Sequence, residues 1–215
     1  MPPSIFTPES LSVSRKVLSS RHPGLRMLLS DCPEINIGSD WRGSIHDVVL
    51  RSIVGQMLSS QASASILRKL RKRFRTSIKI IRWAQTTSIR QGALLGLSQK
   101  KRKALSSWFE FSQQNKNRWI RWQSMSTQEV QQEIVSLWGF GPWTADMIAI
   151  FYLGRKDVFP KNDAGLQKVS SIVFGTNADN IITQYIFDHE TATALFFWTS
   201  IETGVYDRLK NTLSG

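Results

Sequence analysis

A chain of 215 residues, 41% hydrophobic and 20% charged, is long enough to bury a proper core as one compact domain or two small lobes, and its composition is that of an ordinary globular protein. Its formal charge of +12 is not ordinary: excess charge repels itself and points to a polyanionic partner, nucleic acid first. The single cysteine, Cys32, excludes an intramolecular disulfide, a four-cysteine zinc site and a cysteine-ligated iron–sulfur cluster within one chain.

In chain order, the start MPPSIFTPES lacks the basic residues and apolar core of a signal peptide, so an intracellular protein with a loose N-terminal arm is expected. Leu11 to Leu29 reads as one or two helices interrupted at His22-Pro23-Gly24, and a loop with Pro33, Gly38 and Gly43 follows. Ser44, with Asp47 three residues on, has the chemistry of an N-cap. The helix it opens carries the apolar stripe Ile45, Val48, Val49, Ile53, Val54 and Met57. A Ser-rich break at Ser59-Ser60 precedes a basic helix from about Gln61 to Phe74. Ile78 to Trp83 and Thr87 to Leu95 are predicted as short helices. Ser98 then caps a further basic helix with Leu105, Trp108, Phe109 and Ser112 facing inward.

Charge is unevenly placed along these elements. No Asp or Glu lies between Asp47 and Glu110, a stretch that holds 14 of the 28 Lys and Arg. One basic cluster alone reads as a solvated helix face. Two of them, around Arg68–Arg75 and Lys100–Lys103, in an acid-free third of the chain favour a polyanion.

The stretch LWGFGPWTADM, residues 137–147, joins two clear helical patterns. Ser126 and Glu129 form a capping-box signature, after which Val130, Ile134, Leu137 and Trp138 follow at helical spacing. Gly139 can take the left-handed conformation that ends this helix, and Pro142 suits the first turn of the next. That next helix has an apolar face of Trp143, Met147, Ile150 and Phe151 and stops at Gly154. The result is a helix-hairpin-helix. A helix N-terminus entered through glycines offers backbone N–H groups to a phosphate oxygen, and the absence of a P-loop lysine favours a nucleic-acid phosphate over a nucleotide. Spacing alone leaves tight helix packing as an equal explanation. Beyond the hairpin, a polar loop Lys156-Asp157-Val158-Phe159-Pro160-Lys161-Asn162-Asp163 leads to a helix from Asp163 to Phe174. Two more helices, near Asn177 to Phe187 and Thr191 to Glu202, complete the chain. His22, His46 and His189 are far apart and outside metal-binding contexts, which reads them as surface or capping residues. The uncharged run from Met147 to Gly154 is far too short for a membrane span.

The hairpin and loop, LWGFGPWTADMIAIFYLGRKDVFPKND, resemble the helix-hairpin-helix DNA glycosylases, above all the alkylpurine (3-methyladenine) DNA glycosylases. These share the hydrophobic-Gly-hydrophobic-Gly-x-Trp-Thr-Ala stretch and an Asp-Val-Phe-Pro-like loop. The resemblance extends upstream to Val54-Gly55-Gln56-Met57-Leu58-Ser59 and downstream to Trp198, covering about Ile45 to Thr203.

The resemblance implies an all-α fold with two helical lobes flanking a DNA-binding cleft and no N-terminal β-domain. One lobe would span residues 49–156 with the hairpin at 138–143; the other would combine 1–48 and 157–215. It implies Asp163 as the catalytic carboxylate, with Asp157 as rival and a helix N-cap as the structural role. It places Trp143, Met147 and Trp198 in the base pocket, although Trp198 reads equally as core. Met57 would be the wedge that fills the gap left by a flipped base, with Gln56 bonding the orphaned partner; spacing alone reads Met57 as a core methionine. Gly139, Phe140, Gly141 and Thr144 would hold a phosphate, with a monovalent cation at the hairpin carbonyls as in relatives. No cofactor and no catalytic metal is implied.

Trp143 occupies the position where bifunctional relatives carry a Schiff-base lysine, which implies hydrolysis without strand cleavage. The expected reaction is base excision of alkylated purines from double-stranded DNA by a monomer. Alternatives are a related glycosylase for deaminated, mismatched or oxidised bases, or a non-catalytic DNA clamp. Two departures bear on substrate range: Phe187-Asp188-His189-Glu190-Thr191 stands where relatives have a Trp-x-Pro-x-Arg-like element, and Met147 stands at a second aromatic position.

Overall fold

A computed structural model describes residues 6–35, 43–114, 118–175 and 178–214 of the protein. The expected loop glycine Gly38 and helix start Asn177 lie outside the described residues. Among the described residues all regular structure is helical. No described helix is long and apolar enough to cross a membrane. The chain divides into two compact units, Ser39–Leu153 and Pro2–Gly38 with Gly154–Gly215.

The second of these units begins the chain with α1 (Pro8–Arg21) and α2 (Pro23–Asp31). The break between them is local: His22 is extended, and its Nδ1 accepts from the Gly24 N–H at 3.1 Å, capping α2. Pro23 then fits the first turn, where its missing N–H costs nothing.

The first unit runs from α3 (Ile45–Gly55) through α4 (Ser60–Phe74), α5 (Ser77–Thr86), α6 (Ile89–Leu94), α7 (Gln99–Gln114), a 3₁₀ turn at Arg118–Gln123, α8 (Thr127–Val135) and α9 (Pro142–Phe151). The sequence did not announce the 3₁₀ turn. Ser44 and Asp47 form a reciprocal capping box, and Asp47 also accepts from Ser77 Oγ at 2.5 Å, so the start of α3 is tied to the start of α5. Ser126 and Glu129 form a second box on α8. The core is built around α3, whose Val49, Leu50, Ile53 and Val54 are fully buried, and around the fully buried Trp108 and Trp122, whose ring centroids lie 6.4 Å apart. Two buried indoles remove more apolar surface from water than any other pair of side chains could.

Three expectations in this unit need correction. α3 stops at Gly55, so Met57 leaves the stripe: it is wholly exposed, with φ of 58°. Lys101 Nζ on α7 donates to the Val54 carbonyl at 2.8 Å, satisfying one of the carbonyls that the helix end leaves open. α8 ends at Val135, not at Gly139, so Trp138 lies on a turn and is 44% exposed. α9 is not amphipathic: Thr144 to Ile150 are all buried, while Trp143 and Phe151 are only partly so.

The second unit resumes with α10 (Ala164–Phe174), α11 (Ala178–Ile186), α12 (Glu190–Glu202) and α13 (Val205–Ser214). α10 packs on α2, α11 and α12. α13 was not expected. It starts after Gly204, at φ of 73°, and buries Val205 and Leu209 one turn apart. Cys32 is buried and reduced, its Sγ 3.7 Å from the Phe196 carbonyl. Among the described residues no three His, Cys, Asp or Glu are grouped to hold a metal. His46 Nδ1 accepts from Trp108 Nε1 at 3.0 Å, and His189 Nδ1 lies 3.0 Å from Ser14 Oγ.

Candidate DNA interface and catalytic loop

The hairpin of the first unit separates its two glycines by function. Gly139 has φ of 80°, which L side chains rarely adopt, and a Cβ there would sit 2.6 Å from Ala104 Cβ on α7. It is the third residue of a turn closed by the Phe140 N–H donating to the Leu137 carbonyl at 3.1 Å. Phe140 buries its ring, 6.2 Å from that of Trp108. Gly141 is different: its φ is −98°, and a Cβ there would meet nothing within 4 Å. Neither backbone nor packing calls for glycine at 141. What remains is room beside the start of α9, a helix whose N-cap residue, Gly141, has no side chain to bond its first-turn N–H groups. Open space, backbone N–H groups and the positive end of a helix suit an anion.

Gln56 locks this hairpin. Its Nε2 donates to the Gly139 carbonyl at 3.0 Å and to Thr144 Oγ1 at 2.9 Å. Both amide hydrogens are spent, and Thr144, 1% exposed, is held inside. The expected tasks of Gln56 and Thr144, an orphaned base and a phosphate, are different ones; a bond across 83 residues has no local signature. Of the four residues expected to hold a phosphate, only Gly141 presents open space. Gly139, Phe140 and Thr144 shape the turn.

Trp143 follows on the first turn of α9, partly buried, with its Cη2 3.5 Å from where a Gly55 Cβ would stand. Met147, one turn on, is 2% exposed and offers no surface to an incoming base. Met57 and Leu58 project from the loop between α3 and α4, at 100% and 40% exposure. A methionine held in the left-handed region with no packing is not serving the core.

The basic clusters sort by burial. Arg68, Lys69, Lys72, Arg73 and Arg75 are exposed, while Leu67 and Leu70 anchor α4. In the second cluster Lys100 and Lys103 are exposed. Lys101 is committed to Val54, its partial burial lowering its pKa, and Arg102 donates to the Thr87 carbonyl.

In the second unit, Asp163 is the N-cap of α10: its Oδ1 accepts from the Leu166 N–H at 2.9 Å, and its own N–H donates to the Pro160 carbonyl at 2.9 Å. The carboxylate is half-buried and backed by Gly165, where a Cβ would stand 3.0 Å from Asp163 Oδ1 and from Ile201 Cδ1. The rival Asp157 is exposed on the preceding bend.

The loop before Asp163 is pinned by Thr191, which is fully buried. Its N–H donates to the Lys156 carbonyl at 3.0 Å, and its hydroxyl accepts from the Val158 N–H at 3.1 Å with the Arg155 and Val158 carbonyls at 2.9 Å. Phe159 packs edge-on to Phe197, 6.1 Å between centroids. In the sequence Thr191 reads as the start of a helix and as part of a departure from the family pattern. Its real work is to hold the loop that delivers Asp163. Trp198 lies on the same helix, α12, and is partly buried.

No protein-family model matches the chain. A curated relative, YfjP of Bacillus subtilis (strain 168), named as a candidate DNA-3-methyladenine glycosylase, is 29% identical over 84 residues, 36% of this chain and 29% of that protein. The match thus spans less than a third of the relative's length. Three solved structures are similar in fold. The Schizosaccharomyces pombe 3-methyladenine DNA glycosylase Mag1, in complex with abasic DNA, superposes with a TM-score of 0.76 at 17% identity, covering 88% of this chain and 97% of that one. A Bacillus halodurans DNA-3-methyladenine glycosidase gives 0.69 at 20% identity, with 94% and 96% covered. The Archaeoglobus fulgidus 3-methyladenine DNA glycosylase gives 0.66 at 18%, with 90% and 69% covered. The fold is the all-helical one of the 3-methyladenine DNA glycosylases.

Proposed function

We propose that the protein is a monofunctional DNA glycosylase that removes alkylated purines from double-stranded DNA, initiating base excision repair and leaving an abasic site. The observation that carries this reading is Gly141, a glycine with no structural reason to be one, beside open space at a helix start. A backbone phosphate of DNA is the anion that suits it, because the chain is strongly basic and α4 and α7 present exposed lysines and arginines for sequence-independent affinity.

Met57, exposed and unpacked, enters the stack as the damaged nucleotide leaves it. Gln56, both of whose amide hydrogens serve the hairpin, keeps its Oε1 for the orphaned base. Trp143 stacks on the flipped purine. An indole face attracts a ring that alkylation has made cationic.

Asp163 supplies the chemistry. As the C1′–N bond breaks, its electron pair leaves with the base, so an alkylpurine cation departs neutral and needs no proton from the protein. The carboxylate stabilises positive charge growing on the sugar. Water adds its oxygen to C1′ and gives its proton to Asp163. With Trp143 at the hairpin position of the lyase amine, no Schiff base forms there and the strand stays intact. The carbonyls of Leu137 and Gly139 each already accept one hydrogen bond, leaving one lone pair apiece, so a monovalent cation would draw only part of its shell from this chain.

The test incubates the protein with methylated DNA and separates released bases by chromatography, beside duplexes carrying hypoxanthine, uracil or 8-oxoguanine. Release of methylated purines without strand scission or a borohydride-trapped adduct is expected. Release only from the other duplexes would move the substrate to deaminated or oxidised bases. Binding with no release would leave a DNA clamp.

A further inference from the structure

Trp138 is the one aromatic residue of the hairpin turn that faces solvent. Its 44% exposure contrasts with 4% for Phe140, two residues on. It is nevertheless held firmly. Its backbone N–H donates to Ser107 Oγ at 3.2 Å, and Lys103 Nζ lies 4.3 Å from its ring centroid. Lys103 and Ser107 stand one turn apart on α7, and Ala104 between them abuts Gly139. The turn is therefore seated along one face of α7, with the indole and the ammonium fixed at its outer edge.

This pairing does something for both partners. A lysine in water samples many rotamers; an indole under its ammonium restricts the stem and localises the charge. An exposed indole on its own would be unremarkable. Here it sits three residues from Gly141, a chain distance of at most about 11 Å that the closed turn shortens further. Lys103 is also one of only two residues in its basic run with an exposed head, since Lys101 and Arg102 are turned onto backbone carbonyls.

We infer that Lys103 and Trp138 form a second contact on the DNA strand gripped at Gly141: the ammonium neutralises a neighbouring phosphate, and the indole packs on the sugar beside it. The inference rests on the function proposed above and adds the residues that set how the strand lies across the hairpin. A phosphate and a deoxyribose offer one anionic and one apolar face side by side, which a lysine–tryptophan pair matches. No base edge is read, so the contact is indifferent to sequence.

The experiment measures binding of a fluorescein-labelled duplex containing a tetrahydrofuran abasic analogue, over a series of KCl concentrations, alongside base release from methylated DNA. Removing one phosphate contact lowers the slope of log K against log salt by about 0.9. Lys103→Met should show that drop, whereas Lys210→Met, on α13, should not. Trp138→Ala should weaken binding on the order of tenfold, and Trp138→Phe should recover most of it. Because the indole positions the ammonium, the double variant should lose less than the sum of the two single changes. All are surface changes, and unchanged melting temperatures confirm folding. If wild type releases methylated bases but Lys103→Met keeps the wild-type slope, or Trp138→Ala the wild-type affinity, the second contact is wrong and the glycosylase reading survives. If wild type neither binds the duplex nor releases a base, both are overturned.

Discussion

The side-chain amide of Gln56 lies 3.0 Å from the carbonyl oxygen of Gly139, joining the end of α3 to a turn 83 residues away. The same nitrogen holds the buried hydroxyl of Thr144 at 2.9 Å. Gln56→Ala strands that hydroxyl and should cost about 1–2 kcal/mol of stability, read by chemical denaturation. It should also weaken DNA binding by loosening the hairpin. Gln56→Glu supplies no amide hydrogen and points an anion at a carbonyl, so it should be no better than the alanine variant.

The two hairpin glycines should respond oppositely to one added methyl group. Gly139→Ala forces a left-handed residue and a 2.6 Å approach to Ala104, a combined cost of roughly 2–4 kcal/mol. Gly141→Ala meets open space at an ordinary φ, so its stability should stay within about 0.5 kcal/mol of wild type. Its methyl group would occupy the room proposed for a phosphate, so affinity for DNA should fall in a protein that melts normally. Equal behaviour of the two variants in binding and in melting would contradict the division of labour.

What the sequence disclosed and what it withheld follow the range of the interactions concerned. Ser44 with Asp47, Ser126 with Glu129 and Pro142 act within one helical turn, and the helices they open start where their spacing says. The stripe through Ile53 and Val54 continues at helical spacing to Met57, yet α3 ends at Gly55, where Lys101 from α7 meets the Val54 carbonyl and Gln56 turns to Gly139. Trp138 lies on a turn that Ser107 and Lys103 contact from α7, partners more than 30 residues away that leave no local signature. α13 carries a sequence signal that went unused: Val205, Leu209 and Leu213 recur at helical spacing. In the candidate site, the Asp163 cap and the glycine turn were legible as local motifs. Gln56 as a lock and Thr191 as a loop anchor were not, because each acts across tens of residues.

Thr191 offers a way to separate holding the carboxylate from being it. Thr191→Val removes the acceptor of the Val158 N–H inside the protein, costing about 1–3 kcal/mol, and frees the loop that ends at Asp163. Base release should fall while DNA affinity holds. Asp163→Asn keeps an N-cap for Leu166, so its stability should change by less than about 1 kcal/mol, but base release should drop by at least about 100-fold as the charge is lost. Asp163→Ala should lose the cap as well, about 1 kcal/mol. Asp157→Asn, exposed on the bend, should leave release unchanged. The order of these variants in denaturation and in base release checks the assignment.

Asp146 makes stability depend on pH in an unusual direction. It lies on α9, 8% exposed, accepting from Gln131 Nε2 of α8 at 2.7 Å. Burial pushes its pKa up to about 6 from 3.8, with the Gln131 bond opposing. Below pH 3.8 the carboxyl is neutral folded and unfolded and has no effect. Between there and pH 6 the unfolded chain releases a proton that the folded chain retains, so stability falls as pH rises. Above pH 6 the buried charge is a constant penalty, on the order of 3 kcal/mol for a gap of this size. Asp146→Asn keeps an oxygen for Gln131 and never ionises. It should therefore be more stable than wild type by about 1–3 kcal/mol at pH 8, with the difference shrinking toward zero at pH 4. Gln131→Ala removes the one bond that favours the ionised form and should destabilise the protein more at pH 8 than at pH 4. Urea denaturation of the three proteins across that range decides it. Equal stability of wild type and Asp146→Asn at pH 8 would mean that the carboxylate is solvated where it lies.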